Sequence, residues 1–251
     1  DKLVTGVQTC ALPILLFELA GEMALWRNVY ESMGSYSCLG PAPSNLAGLI
    51  GAALGFASPR SQAAREPDGK VLKKMDKEGL PWPVSPELLA WEEKNDFHVG
   101  CRWTGAFPRR VPWNVNGCKE IGKGENLRIQ QQVIENPRYE VAVKLPDAEA
   151  ERVAAALRRP AFPLCLGASF CRAAVRNVRI AETVPESPDW AFHTDGGALG
   201  EATPFSRHIV DSDRCFERIR SDGYWIYPTP EQPGVLAADP LVRGWVRSAE
   251  A

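Results

Sequence analysis

No apolar stretch in this 251-residue chain approaches the roughly 20 residues that a helix needs to cross a bilayer. The nearest candidate, Ala11–Phe17, runs straight into Glu18 and Glu22, the wrong flank for a signal peptide. No contact with a membrane is therefore expected. Seven cysteines, at positions 10, 38, 101, 118, 165, 171 and 215, contain no CxxC pair and are odd in number. That argues against a disulfide framework or a zinc knuckle and for a reducing, cytoplasmic compartment. Histidine is scarce, with only His98, His193 and His208, so acid–base chemistry has few groups to draw on. The carboxylates of the acidic C-terminal part, 181–251, show no metal-ligand spacing, and neither a metal nor any other cofactor is expected.

What is present is the composition of a globular protein, with 45% hydrophobic and 24% charged residues and a formal net charge of −2. The length suffices for a substantial core. Twenty-one prolines and 21 glycines imply many turns and irregular excursions. The small net charge hides an asymmetry. Residues 97–180 hold fourteen Lys and Arg against seven Asp and Glu, whereas residues 181–251 hold six against twelve. A basic middle beside an acidic end suits a polyanion on one face and protein neighbours on others, although solvated surface charge explains it equally well.

The run Val4–Ile14, VTGVQTCALPI, reads residue for residue as the translation of a widely used short-read sequencing adapter. Residues 1–14 are set aside from fold reasoning on that ground, as an assembly artefact. The expectation is that the natural start of the first strand is lost or replaced and that Cys10 has no functional meaning.

Gly40–Phe56, GPAPSNLAGLIGAALGF, combines a proline-stiffened lead, a Ser/Asn cap and an apolar helix. Ser44 is placed to cap the helix by accepting a first-turn N–H. Gly48, Gly51 and Gly55 fall on one side of it, and a mid-helix glycine costs on the order of 1 kcal/mol relative to alanine. Three of them imply that another backbone comes close; tight helix–sheet packing would serve as well.

Further elements follow from periodicity. Leu15–Leu19 reads as a buried strand, 24–39 as an irregular extension, and Pro86–Glu93 as a short helix. Phe97–Trp103 is a strand, 104–127 an exposed arm, and Arg128–Ile134 a strand again. Arg138–Leu145 alternates as a half-buried strand. A helix capped by Asp147 is expected through Arg159, then a strand at Leu164–Leu166, a turn at Gly167–Ser169 and a strand at Val175–Ile180. The order strand, helix, strand, strand, helix, strand is that of a ferredoxin-like α+β domain. It would span 15–180, with a turn-rich acidic extension over 181–251 appending strands to the sheet.

The motifs SNLAGLIGAALGF, NPRYEVAV and FPLCLGAS, in this order and separation, resemble the CRISPR-associated protein five family of the RAMP superfamily of RNA-binding proteins. The similarity covers roughly 15–58 and 126–180. The resemblance implies an RRM/RAMP-type fold and a subunit of a type I CRISPR surveillance complex, Cascade, with a lean towards a type I-B-like branch. It implies partners too: the 5′ handle of the crRNA, the backbone and large subunits, and target DNA through the complex. A β-hairpin thumb reaching over the guide would correspond to 104–127.

The candidate RNA-binding residues are Ser44 and Asn45 at a helix N-terminus, Gly167 and Ser169 in the later turn, and Arg138, Arg172 and Arg176 near the same strand ends. The helix N-terminus at Ser44–Asn45 and the Gly167–Ser169 turn are expected to converge. Arg27 and Tyr36 precede the helix. In the arm, Arg109 and Arg110 interleave with Trp103, Phe107 and Trp113, the mixture that stacks unpaired bases and holds their backbone. Each of these side chains also has an ordinary reading as surface charge or core aromatic. The alternative function is a metal-independent endoribonuclease that processes precursor crRNA. For that, His98 is the candidate catalytic group, with Lys119 or Tyr139 within reach.

Overall fold

In the computed structural model the described residues are 12–27, 36–58, 85–106, 108–118, 126–186, 192–193, 201–205, 208–210, 217–218, 223–227, 241–243 and 246–247. The early strands are β1 (Ile14–Ala20), β2 (Met23–Ala24), β3 (Trp26–Arg27) and β4 (Ser37–Cys38), followed by α1 (Pro43–Leu54) and α2 (Pro86–Asn95). Then come β5 (His98–Trp103), β6 (Arg109–Cys118), β7 (Asn126–Glu135), β8 (Arg138–Lys144), α3 (Asp147–Arg158) and β9 (Ala174–Ala181). The C-terminal part holds β10 (Phe192–His193), β11 (Glu201–Phe205), β12 (His208–Val210), β13 (Glu217–Arg218), β14 (Gly223–Tyr227), β15 (Val242–Arg243) and β16 (Val246–Arg247).

The main sheet has the order β15-β5-β8-β1-β9, with every neighbouring pair antiparallel. Alternation decides its two faces. Leu15, Phe17 and Leu19 of β1, Val99 and Cys101 of β5, and Tyr139, Val141 and Val143 of β8 are all fully buried on one face. They share a core with Leu46, Ala47 and Ile50 of α1 and Ala150, Val153 and Leu157 of α3. Burying a side chain such as Leu15 or Phe17 contributes about 1.5–3 kcal/mol. Ile14, Leu16 and Ala142 form a smaller cluster, joined by Ala181, Val184 and Leu241.

β9 carries a bulge. Leu16 pairs with Arg179 but Glu18 pairs with Arg176, so one extra residue sits in β9. Asn177 takes the left-handed conformation there, with φ 50°. Between β5 and β8, β6 and β7 pair in antiparallel register over ten positions, from Arg109↔Glu135 to Cys118↔Asn126. The expected arm at 104–127 thus takes in the strand expected separately at 128–134. β2 extends this ribbon by pairing with β7, and β3 and β4 form a short hairpin within the segment read as irregular.

Four local expectations are corrected. The α1 N-cap is Ala42, not Ser44, because Pro43 occupies the first helical position. The Asn45 Oδ1 accepts the Ala42 N–H at 2.9 Å, so the third helical residue anchors the cap. Asp147 is the first residue of α3 after an N-cap at Pro146, and it makes no capping bond. The span Leu164–Leu166 is not a strand; it holds an isolated bridge, Cys165↔Arg172. Of the C-terminal strands, β15 joins the main sheet at β5, while β10, β14 and β11 form one small sheet and β13, β12 and β16 another.

The three glycines of α1 part ways. Gly51 packs against the Leu88 side chain of α2, whereas a Cβ at Gly48 would meet nothing within 4 Å. Gly55 ends the helix at φ 87°, with the Phe56 N–H bonded to the Gly51 carbonyl at 2.9 Å. The close backbone lies at this end: Ala161 and Phe162 donate to the carbonyls of Ala53 and Ala52 at 3.0 and 3.3 Å. Among the described residues no helix is long and apolar enough to cross a membrane.

Candidate nucleic-acid interface

Where the chain leaves β1, backbone bonds close a cleft of about 730 Å³ against the starts of β8 and β9. Gly21 donates to the Pro137 carbonyl at 3.2 Å, Asn136 to the Glu22 carbonyl at 2.8 Å, and Thr104 to the Arg138 carbonyl at 2.9 Å. Gly21 is required here, since a Cβ would lie 2.6 Å from the Arg172 carbonyl. The far wall is the loop before β9, pinned by Leu166 N–H to Cys171 O at 2.7 Å and Ala173 N–H to Leu164 O at 3.0 Å.

Three expected site residues meet in this cleft: Arg138, Arg172 and Arg176. All three are exposed, and none has an ion-pair partner among the described residues. Glu18 and Glu22 line the same cleft, with Phe170. Glu18 is held by the Asn177 amide at 2.7 Å, so the β9 bulge serves to fix a cleft carboxylate.

A second group forms at the base of the β6–β7 ribbon. Arg110 Nε donates to the Ser37 carbonyl at 2.9 Å, Arg27 pairs with Ser37 in the β3–β4 hairpin, and Tyr36 bridges to Gln132 of β7. Tyr36 is 60% exposed and Trp113 of β6 43%. Arg109 is paired to Glu135 at 3.2 Å, with both side chains largely in solvent.

Ser44, Asn45, Gly167 and Ser169 do not line the cleft. The Asn45 and Leu46 amides both bond to the Ala42 carbonyl, at 2.9 and 3.3 Å, which leaves fewer first-turn donors for a phosphate than expected. Gly167 has φ 87°, and a Cβ there would sit 2.0 Å from the Leu25 carbonyl. The close approach that this glycine permits is therefore to the protein's own β2–β3 connection. Ser169 is exposed, and its carbonyl accepts from the Cys165 thiol at 3.6 Å.

His98 lies at the opposite end of the β5–β8 ladder from the cleft, directly across from Lys144. Its Nδ1 is 2.7 Å from the Asp96 carbonyl. Tyr139 is not within its reach. It pairs with Trp103 at the other end, and its hydroxyl is buried, donating to Leu39 O at 2.9 Å and accepting from Trp26 Nε1 at 3.0 Å. Burial drives the Tyr139 phenol well above its ordinary range. Lys119 and Phe107 lie outside the described residues. Trp103 packs edge-on against Tyr139, with ring centroids 4.9 Å apart.

Phe170 in the cleft, Cys171 next to it in the chain and Glu140 in the sheet were not singled out from the sequence. Phe170, 46% exposed, stands two residues before Arg172, and that aromatic–basic neighbourhood was a usable signal. Glu140 gave none: it is buried at 5% exposure and binds Arg102 Nε at 2.7 Å and Arg179 at 2.8 Å. Cys171, behind Phe170, is a packed thiol pushed up to about 11 by burial, not a nucleophile. Among the described residues no group of three His, Cys, Asp or Glu side chains converges to hold a metal.

Residues 14–224 match the profile of a family described as CRISPR-associated protein (Cas_Cas5). No curated protein matches the chain. Among solved structures, a chain of a "CRISPR RNA-guided surveillance complex" is similar at 19% identity and a TM-score of 0.51, covering 90% of this chain and 94% of that one. A second, described as a Cas protein, is 17% identical with a TM-score of 0.43 over 89% of this chain and 99% of that one. A CRISPR protein from Archaeoglobus fulgidus is 11% identical with a TM-score of 0.39, covering 92% and 89%.

Proposed function

This chain belongs to the CRISPR-associated protein (Cas_Cas5) family, and from that premise we propose that it is a non-catalytic, crRNA-binding subunit of a type I surveillance complex. In this reading residues 15–180 form a ferredoxin-like RAMP domain, and the 5′ handle of the guide lies against the arginine cleft. The sheet order β5-β8-β1-β9, with one helix following β1 and another following β8, supports that fold. The observation that carries the function is the convergence of Arg138, Arg172 and Arg176 on one cleft. Unpaired guanidinium groups are the means by which a protein holds a phosphate backbone.

The β6–β7 ribbon acts as the thumb, with Arg27, Tyr36 and Arg110 at its base and Trp113 along it. Bases of a single strand stack on such exposed aromatics while arginines hold the backbone. The acidic extension over 181–251 and the ribbon's outer side face the large and backbone subunits, and target DNA is met through the assembled complex. The test is to express the chain with its neighbouring subunits and a repeat array, then sequence the RNA that co-purifies. Short RNAs sharing one 5′ end are expected. Absence of RNA from the purified assembly overturns the proposal.

A further inference from the structure

We infer that the cleft holds one unpaired nucleotide and reads its base as guanine, an inference that rests on the RNA-binding reading above. Three arginines alone would hold any phosphate chain. Two carboxylates among them, Glu18 and Glu22, would weaken such binding by repulsion unless the ligand also presents hydrogen-bond donors. The Glu18 carboxylate is held by the Asn177 amide, and the Glu22 backbone is anchored by the Asn136 N–H at 2.8 Å. The Glu22 carboxylate is exposed to the cleft and has no side-chain partner among the described residues.

Guanine is the base that satisfies both signs of charge. Its N1–H and N2 amino group lie side by side, a donor pair that one carboxylate accepts through both oxygens. Its O6 and N7 are the acceptor pair that a guanidinium fork matches. Adenine and cytosine each offer one amino group on that edge, and uracil one imide N–H. Phe170, 46% exposed on the same wall, supplies a face for the flipped base to stack on. A cleft of about 730 Å³ lies within the range of small-ligand sites. Glu22 reads the base, Phe170 stacks it, and Arg138, Arg172 and Arg176 hold its O6/N7 edge and the flanking phosphates.

The test uses the full chain and eight-residue oligouridine RNAs carrying one guanosine at each position in turn, with matching inosine and adenosine series. At one position guanosine is expected to bind about tenfold tighter than inosine, which lacks the 2-amino group, or adenosine. Glu22→Gln should reduce that preference to less than about twofold, and Phe170→Ala should weaken every RNA alike. A binding curve indifferent to guanosine at all positions, or a preference that survives Glu22→Gln, overturns the guanine assignment while leaving the RNA reading standing. Failure of the full chain to bind any of these RNAs, or of the combined Arg138→Gln, Arg172→Gln and Arg176→Gln variant to bind them more weakly, overturns the RNA reading itself.

Discussion

Trp26 and Tyr139, 113 residues apart, are joined by a buried hydrogen bond from the indole Nε1 to the phenol oxygen at 3.0 Å, and the same hydroxyl donates to the Leu39 carbonyl at 2.9 Å. This pair fastens the β3–β4 hairpin, which carries Arg27 and leads into α1, to the main sheet. The rings meet edge to face at 6.2 Å. Tyr139→Phe keeps the packing but orphans a buried donor and a buried acceptor, so it should lower stability by about 2–4 kcal/mol. Urea unfolding followed by tryptophan fluorescence measures this, and a loss under about 0.5 kcal/mol would show that the network adds little.

Burial of acidic groups in neutral form predicts alkaline sensitivity. Cys101 and Tyr139 are raised well above their ordinary 9.0 and 10.0, and Cys171 is raised from 9.0 to about 11. Below pH 9 these groups are protonated in both the folded and the unfolded chain, and their contribution is fully present. As pH rises beyond 9 the unfolded chain releases these protons first, so stability falls through the folded values. The melting temperature should hold between pH 7.5 and 8.5 and drop between pH 9 and 11. Cys101→Ala should flatten the drop.

Two glycines make opposite predictions. Gly167→Ala forces a side chain into the left-handed region at φ 87° and drives its Cβ to 2.0 Å from the Leu25 carbonyl. A loss of more than about 2 kcal/mol is expected. Gly48→Ala adds a methyl where nothing lies within 4 Å on a helix, and should stabilise by about 0.5–1 kcal/mol. Thermal unfolding of both variants checks the pair.

The Glu140 carboxylate ties β8 to both sides of the sheet, to Arg102 on β5 and to Arg179 on β9, each within hydrogen-bond distance. Glu140→Ala leaves two cations of which Arg102 is only 24% exposed, and should cost about 2–4 kcal/mol after partial rehydration. Glu135→Ala breaks only the exposed pair with Arg109 and should change stability by less than about 0.5 kcal/mol. Chemical denaturation separates the two effects.

Much of the central scaffold was legible because alternation writes it directly. Tyr139, Val141 and Val143 do share one face of β8, but Glu140 and Ala142 on the other face are buried too, so the strand expected to be half-buried is covered on both sides. β1, α1, α3 and β9 lie near their expected bounds. The misreadings have local causes. Pro43 can occupy the first turn of a helix, so the helix begins one residue before Ser44, and Asn45 rather than Ser44 anchors its cap. The three glycines of α1 looked alike because spacing cannot tell an open side from a packed one. The span 164–166 is apolar like a strand but sits in a tight loop closed by the Leu166–Cys171 bond. The cleft arginines were legible from their places at strand ends. Glu18 and Glu140 were not, since their partners come from strands more than 30 residues away.

The central claim, that Arg138, Arg172 and Arg176 together hold the RNA backbone, is tested most directly by the salt dependence of binding. A single-stranded RNA carrying the 5′ repeat-derived handle would be titrated onto the full chain at ionic strengths from 50 to 300 mM, for the native protein and for the triple Arg→Gln variant. Each lost phosphate contact should flatten the slope of log affinity against log salt by about 0.7. The account predicts binding at least tenfold weaker in the triple variant and a slope flatter by about 1.4 where one guanidinium takes the base edge, or about 2 where all three take phosphates. Equal affinity and equal slope in the two proteins would contradict it.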